Sequence, residues 1–347
     1  MFKKRASSKN PHVVGLELDP GHIAAAEVTV NGHISLKRGA VADLRPGLVR
    51  DGEVVDGPAL AETLKAFFAE HELPTRVRLG IANQRIVVRT LDLPLLDDAN
   101  ALAAAVRIQA PDHIPMPMDE AVMDWQSLGT VHTPGGLRSR AVVVAVRREV
   151  VDRMVGVTRE AGLELAGIDL SAFGMVRALG VGESGARLYI NVAGLTNVAV
   201  ANASGCLFTR AASGGLEELA HSLSERRGLT LEHARQWMRH VGLAAPVEEL
   251  DGDPDLLAAT RAVLEDGVHQ LADTVRNSLN FYRTQESAET VEDGVLTGPA
   301  VDIPGFAERL SVQLKLPITA AVVAADEAAE DLSRLTVAAG LAVDAVT

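Results

Sequence analysis

Residues 15–27 read Gly15-Leu16-Glu17-Leu18-Asp19-Pro20-Gly21-His22-Ile23-Ala24-Ala25-Ala26-Glu27, two apolar runs folded about a Pro-Gly step. Pro presets φ for a turn and Gly admits a tight one, so the stretch predicts a hairpin joining two strands. A tight turn of this kind can aim backbone N–H groups at an anion, as phosphate-gripping loops do. Its charge argues the opposite way, because Asp19 stands at the tip and Pro20 has no N–H to donate. Shape and chemistry therefore disagree at the first turn of the chain.

Strands are expected at 13–18, 23–30 and 34–41, with the hairpin signal Asn31-Gly32 before the third. A second meander follows at 188–192, 197–201 and 207–210, with Ser204-Gly205 at its second turn. Two such units about 175 residues apart predict a duplicated α/β architecture with a cleft between two similar halves. Between them, 58–73 carries an amphipathic stripe (Leu60, Leu64, Phe67, Phe68) led by Pro58. Strands at 77–82 and 86–91 precede a helix opened by Asp97 and Asp98, striped by Leu102, Val106 and Ile108, and expected to stop before Pro111. Strands at 121–128 and 140–147, separated by a Thr-Pro-Gly-Gly loop, and a helix at 149–161 complete an α+β unit that reads as an insertion over 84–170. Further on, Thr230 is the expected N-cap of a helix that Gly242 ends. Pro254 leads a helix of about 30 residues whose stripe runs from Leu264 to Tyr282. A strand at 294–297, a Gly-Pro loop, a helix from Pro304, a strand at 318–323 and a closing helix around Gly340 finish the chain.

Composition bounds the function. The chain has 347 residues, 47% of them hydrophobic, and 46 acidic against 33 basic side chains give a formal charge of −13. That balance, with basic residues clustered only at Lys3, Lys4, Arg5 and Lys9, speaks against nucleic acid as a partner. Glu17, Asp19 and Glu27 interrupt the first apolar stretch, so it is not a secretion signal, and no uninterrupted apolar stretch reaches the roughly 18 residues of a membrane span. A cytoplasmic protein is expected. One cysteine, Cys206, allows no internal disulfide or cysteine-based zinc site, and His233 and His240, seven apart on a helix, read as surface residues, so no metal site is expected.

The order of several stretches resembles the PilM family of type IV pilus assembly proteins, actin-like relatives of the cell-division protein FtsA. They are VVGLELDPGHIAAAEV at 13–28, VRTLDLPLL at 88–96, IPMPMDEAVMDWQSL at 114–128, LFTRAASGGLEELAHSL at 207–223, GLTLEHARQWMRHVGL at 228–243, SLNFYRT at 278–284, VLTGPAVDIPGF at 295–306 and VAAGLAV at 337–343. The resemblance implies an α/β, actin-like ATPase fold: two duplicated, ribonuclease H-like lobes with an inserted FtsA-like (SHS2) α+β subdomain. Its expected divisions are a first lobe at 1–83, the insertion at 84–170, a second lobe begun at 171–227, a helical subdomain at 228–290, and at 291–347 the rest of the second lobe with the closing helix.

The same resemblance implies an adaptor that recruits a PilN-like inner-membrane protein by its short N-terminal cytoplasmic peptide, held against the insertion. PilO-like proteins and the pilus motor ATPases would be reached indirectly, and a homo-oligomer is compatible. Val87, Arg89 and Ile114 are the candidate peptide contacts, with the alternative that Val87, Leu91 and Ile114 are simply core. Family members also imply ATP and magnesium, but the matching positions are altered. The family's Asp-x-Gly-Ser pattern is Glu17-Leu18-Asp19-Pro20 here, Ala24 replaces a usual Lys, and Asn191-Val192-Ala193 replaces Asp-x-Gly. Arg235 and Met238 stand where a Glu and a Lys are usual, and Pro299 follows Gly298 in place of a second Gly. A carboxylate 4 Å from a phosphate oxygen costs about 4 kcal/mol at an effective dielectric of 20, about a thousandfold in affinity. The eroded pocket so expected comprises Glu17, Asp19, Gly21, Asn191, Gly194, Thr196, Gly214, Gly215, Arg235 and Gly298, with no cofactor, no catalytic residue and no hydrolysis. The alternatives are an active ATPase or sugar-kinase-like enzyme, for which Asn191 stands where an acid is needed, and an FtsA-like or type II secretion scaffold. The secretion scaffold would need a membrane span, and the FtsA-like one an amphipathic tail, where this sequence has Val343-Asp344-Ala345-Val346-Thr347.

Overall fold

The computed structural model describes residues 13–96, 98–182, 185–285, 288–326 and 329–344; the basic tip, Asp97 and the last three residues named above lie outside them. In chain order the elements begin with β1 (Val14–Asp19), β2 (His22–Val30), β3 (Ile34–Asp43), a short ladder of β4 (Val49–Arg50) and β5 (Glu53–Val54), α1 (Gly57–Glu70) and β6 (Arg76–Ile81). Next come β7 (Val87–Pro94), α2 (Ala99–His113), β8 (Ala121–Thr133), β9 (Gly136–Arg147), α3 (Arg148–Glu160), β10 (Glu164–Leu170) and α4 (Ser171–Leu179). The second half runs through β11 (Ala186–Val192), β12 (Thr196–Asn202), β13 (Gly205–Ala212), α5 (Leu216–Arg227), α6 (Leu231–Val241) and α7 (Pro254–Arg283). It closes with β14 (Val291–Thr297), α8 (Phe306–Leu314), β15 (Ile318–Ala320), β16 (Ala324–Ala325) and α9 (Leu332–Leu341).

Two large sheets repeat one topology. The first is ordered β10-β6-β1-β2-β3-β16 and the second β13-β12-β11-β14-β15. In each, three antiparallel strands form a meander whose first strand pairs in parallel with a later one. Every residue of β1 is buried, as expected of a central strand covered on both faces. One face of the first sheet carries α1 and α3; the other carries α9. The second sheet packs α5 to α8 on one face and α4 on the other. The stripe predicted for α7 is buried from Leu264 to Tyr282, Asp56, Asp98 and Asp253 cap α1, α2 and α7, and Thr230 caps α6 through the His233 N–H.

The structure places the insertion boundaries more tightly than the sequence reading. The separate three-stranded sheet β7-β9-β8 with α2 spans only 87–147. Within 84–170, α3 packs on α1 and β10 pairs with β6, so both belong to the first lobe, which supplies their apolar partners. Likewise β16 and α9 lie on the first sheet rather than with the second lobe, because β16 pairs with β3 and α9 covers β1 to β3. Helix α2 does not stop before Pro111 but runs to His113; in the last turn the proline removes one bond, and Ile114 N–H still donates to the Ala110 carbonyl at 3.1 Å. Ile108 is 75% exposed, and Ala110 completes the buried stripe in its place. The expected Thr-Pro-Gly-Gly loop is a two-residue turn, since Thr133 pairs with Gly136. No helix among the described residues is long and apolar enough to cross a membrane.

The lobes meet where α4 and α9 cross. A Cβ added to Gly340 would stand 1.7 Å from the Gly174 carbonyl oxygen, so the two backbones touch with no side chain between them. Only glycine permits that approach. Gly340→Ala is expected to cost about 2 kcal/mol or more in urea unfolding, because the helices must separate. Gly156→Ala, on an exposed position of α3 with nothing within 4 Å, should stabilise by about 0.5 kcal/mol or more; equal effects at both positions would contradict the crossing.

Candidate functional site

The cleft between the lobes is lined by the two β-hairpin turns, β1–β2 and β11–β12, and by the N-terminal ends of α5 and α6. At the first turn Asp19 pairs across the ladder with His22, and Pro20-Gly21 makes the bend. Gly21 is required for space rather than for φ: a Cβ there would lie 2.6 Å from Cγ of Glu217. The Asp19 carboxylate, 4% exposed, accepts three backbone N–H groups: Gly21 at 2.9 Å, Gly194 at 2.7 Å and Leu195 at 3.2 Å. The last two belong to the opposite lobe. His22 Nδ1 lies 3.5 Å from the same carboxylate, while its buried Nε2 has no hydrogen-bond partner among the described residues.

Burial pushes the Glu17 carboxyl up to about 8, with Asp19 adding to the rise and His22 opposing it. It is therefore mostly neutral near pH 7. Burial works to lower the His22 imidazole, but the hydrogen bond and charge of Asp19, with that of Glu17, leave it raised above its usual value. At the second hairpin Asn191 packs against Gly298, where a Cβ would be 2.2 Å from Asn191 Oδ1. Thr196 Oγ1 donates to the Gly214 carbonyl at 2.7 Å, and Gly215 lies so close to the Ala193 carbonyl that a Cβ would approach it to 2.2 Å.

Arg235 on α6 joins the two lobes through paired charges. Its guanidinium forks onto Glu217 of α5 at 2.9 and 2.6 Å and reaches Asp43 at the end of β3 at 2.7 Å. Arg334 on α9 holds the other Asp43 oxygen at 2.9 Å. Bidentate geometry of this kind is specific and strong where water is partly excluded. The network lines an open cavity of about 870 Å³, together with Gln236, Arg239 and Asp302.

The ten residues expected at the pocket thus gather about the cleft, with Gly214 and Thr196 also bordering a neighbouring 400 Å³ cavity. Glu17 is mostly neutral near pH 7, the Gly194 and Leu195 amides hold a carboxylate, and Arg235 holds two acids. Among the described residues no group of three acids, histidines or cysteines is placed to hold a metal ion. Sequence reasoning missed Glu217, Asp43, Arg334 and the Leu195 amide; no local pattern links Asp43 to Arg235, 192 positions away.

The expected peptide contacts are not together on an open surface. Ile114 is 5% exposed and Val87 packs beside it in the core under α2, while Arg89 donates to the neighbouring Val88 carbonyl. The opposite face of the inserted sheet borders an apolar groove of about 460 Å³. Its walls are half-buried Val122 and Gln126 of β8, Val144 of β9, Ile168 of β10 and Phe173 of α4, with Arg78, Asp124 and Asp169 at the edge. Arg78 pairs with Asp344 and also donates to the Leu341 carbonyl at 3.1 Å. Of these, the sequence shows Val122 only as an apolar residue of a mixed strand and Val144 only as a member of the apolar run 141–146.

Glu17 makes stability depend on pH. Its folded value lies above the ordinary carboxyl value of 4.5, so the native state holds a proton that the unfolded chain releases between about 4.5 and 8, and stability falls as pH rises through that window. The raised His22 acts in the same direction, and because the Glu17 charge contributes to that rise, Glu17→Gln lessens both effects. Urea midpoints at pH 6 and pH 9 should therefore fall further for the wild type than for Glu17→Gln; parallel falls would contradict the buried neutral acid.

Comparison with known proteins accords with this architecture. The family described as "Type IV pilus assembly protein PilM" matches residues 22–344. A solved "PilM-PilN type IV pilus biogenesis complex" shares 25% identity with this chain at a TM-score of 0.75, over 96% of this chain and 98% of that one. Ethanolamine utilization protein EutJ from Carboxydothermus hydrogenoformans is similar in fold, with TM-score 0.57 and 15% identity over 96% and 89% of the two chains. So is MreB5 of Spiroplasma citri bound to ADP, with TM-score 0.56 and 12% identity over 94% of each chain. The match over nearly the whole chain, together with the duplicated lobes and the inserted sheet, places this protein in the PilM family of type IV pilus assembly proteins.

Proposed function

We propose that this protein is an adaptor of the pilus assembly machine that holds the N-terminal cytoplasmic peptide of a PilN-like membrane protein without using ATP. Membership of the family and the similarity to a solved PilM–PilN complex support the partner. The observation that carries the reading to a surface is the groove between the inserted sheet and the first lobe. Strands β8 and β10 are both terminal in their sheets, and such an edge can accept an extended peptide through main-chain hydrogen bonds. Val122, Val144, Ile168 and Phe173 offer half-buried apolar side chains to alternate residues of that peptide. The adaptor would work at the cytoplasmic face of the inner membrane, brought there by its partner.

Independence from ATP is supported by the neutral Glu17 and by the occupied amides of the second hairpin. Binding of a fluorescent peptide from the partner's N-terminus, measured with and without Mg-ATP, tests both halves. Val122→Asp should weaken it about tenfold or more, the cost of losing roughly 1.4 kcal/mol of apolar contact. Arg89→Glu should leave it unchanged, and Mg-ATP should not alter the wild-type affinity. Wild-type affinity in Val122→Asp would remove the groove from the account, and a nucleotide-dependent affinity would remove the ATP-free reading.

A further inference from the structure

The backbone amides of Gly21, Gly194 and Leu195 converge on one point between the lobes, and a side chain of the protein itself sits there. Hydrogen bonds of 2.9, 2.7 and 3.2 Å bring two N–H groups from the second hairpin and one from the first onto Asp19. A Cβ on Gly194 would lie 2.3 Å from Asp19 Oδ1, so glycine is needed there to let an anion approach the backbone. Convergent amides of this kind form an anion-binding concavity. With His22 Nδ1 at 3.5 Å, they also offset the desolvation of a carboxylate that is almost wholly buried.

We infer that Gly21, Gly194 and Leu195 form an oxyanion site which the protein fills with its own Asp19 carboxylate, and which takes a free phosphate or the phosphate of a nucleotide only when that carboxylate is removed. Asp19 is then an internal ligand. It bridges turns about 175 residues apart and draws the lobes together, the part that a phosphate would otherwise have to play. A tethered group has the advantage of a high local concentration, and free phosphate at millimolar levels cannot displace it. A phosphate approaching the filled site also meets a like charge in a setting of low dielectric. The inference deepens the ATP-free reading of the cleft and rests on it only for the wild type, because what it adds concerns the amides rather than the rest of the pocket.

Thermal unfolding in inorganic phosphate, at constant ionic strength with chloride as the balancing anion, tests it. The wild-type midpoint should not move between zero and about 20 mM phosphate. Asp19→Ser should melt lower than the wild type and recover by about 2 °C or more in phosphate, the shift expected when ligand exceeds its dissociation constant about tenfold. Asp19→Ala empties the same place and serves if the serine variant does not fold; it too should gain stability with phosphate. A wild type stabilised by phosphate as much as the variants, or foldable variants that do not respond, would overturn the inference. The partner-peptide experiment fails or succeeds independently, since its groove lies on the inserted sheet.

Discussion

The arrangement of the two lobes turns on one buried carboxylate. Asp19 stands at the tip of the first hairpin, yet two of the three N–H groups it accepts come from the second. A carboxylate removed from water is costly unless its lone pairs are satisfied, and here the donors that satisfy it lie on both sides of the cleft. Separating the lobes would take from the anion two of its three amide donors and leave the amides of Gly194 and Leu195 without their acceptor. The interaction therefore favours closure by the same rule that makes unpaired buried polar groups rare.

Two further contacts agree with that constraint. Arg235, held by Glu217 and Asp43, spans the outer part of the cleft, and Arg334 secures Asp43 from the closing helix. Beneath them, Gly174 and Gly340 let α4 and α9 cross in backbone contact, each helix covering the sheet of a different lobe. In an actin-like fold the cleft is the natural place for motion, and here it is bonded at its tip, along its rim and at its base. Ordering a surface beforehand lowers the entropy lost on association, which is how such rigidity would serve the proposed peptide groove.

Much of this was legible in the sequence. Pro-Gly and Asn-Gly turns, alternating strands and the thirty-residue stripe of α7 give the duplicated lobes, because period and turn chemistry are local signals. The first hairpin was legible as a turn, since Pro20-Gly21 makes the bend between β1 and β2. What Asp19 does there was not legible, since its partners are backbone amides 175 residues away that carry no residue signature. The extent of the insertion was misread for a related reason. Helix α3 and strand β10 look like continuations of the α+β unit, and it is the packing of α3 on α1 and the pairing of β10 with β6 that assign them to the first lobe. Of the two readings that the sequence leaves open for Val87 and Ile114, peptide contact or core, their packing under α2 agrees with core; an apolar groove borders the other side of the same sheet. Inward and outward faces of a strand are distinguished by what packs on them, which two half-apolar faces do not reveal.

Hydrogen–deuterium exchange at the Gly194 and Leu195 amides of the unliganded protein tests the central claim most directly. Amides bonded to Asp19 in a closed cleft should exchange slowly, at a rate comparable with the paired residues of β11 and β12. Rapid exchange, as in a hairpin tip open to solvent, would contradict closure by an internal carboxylate.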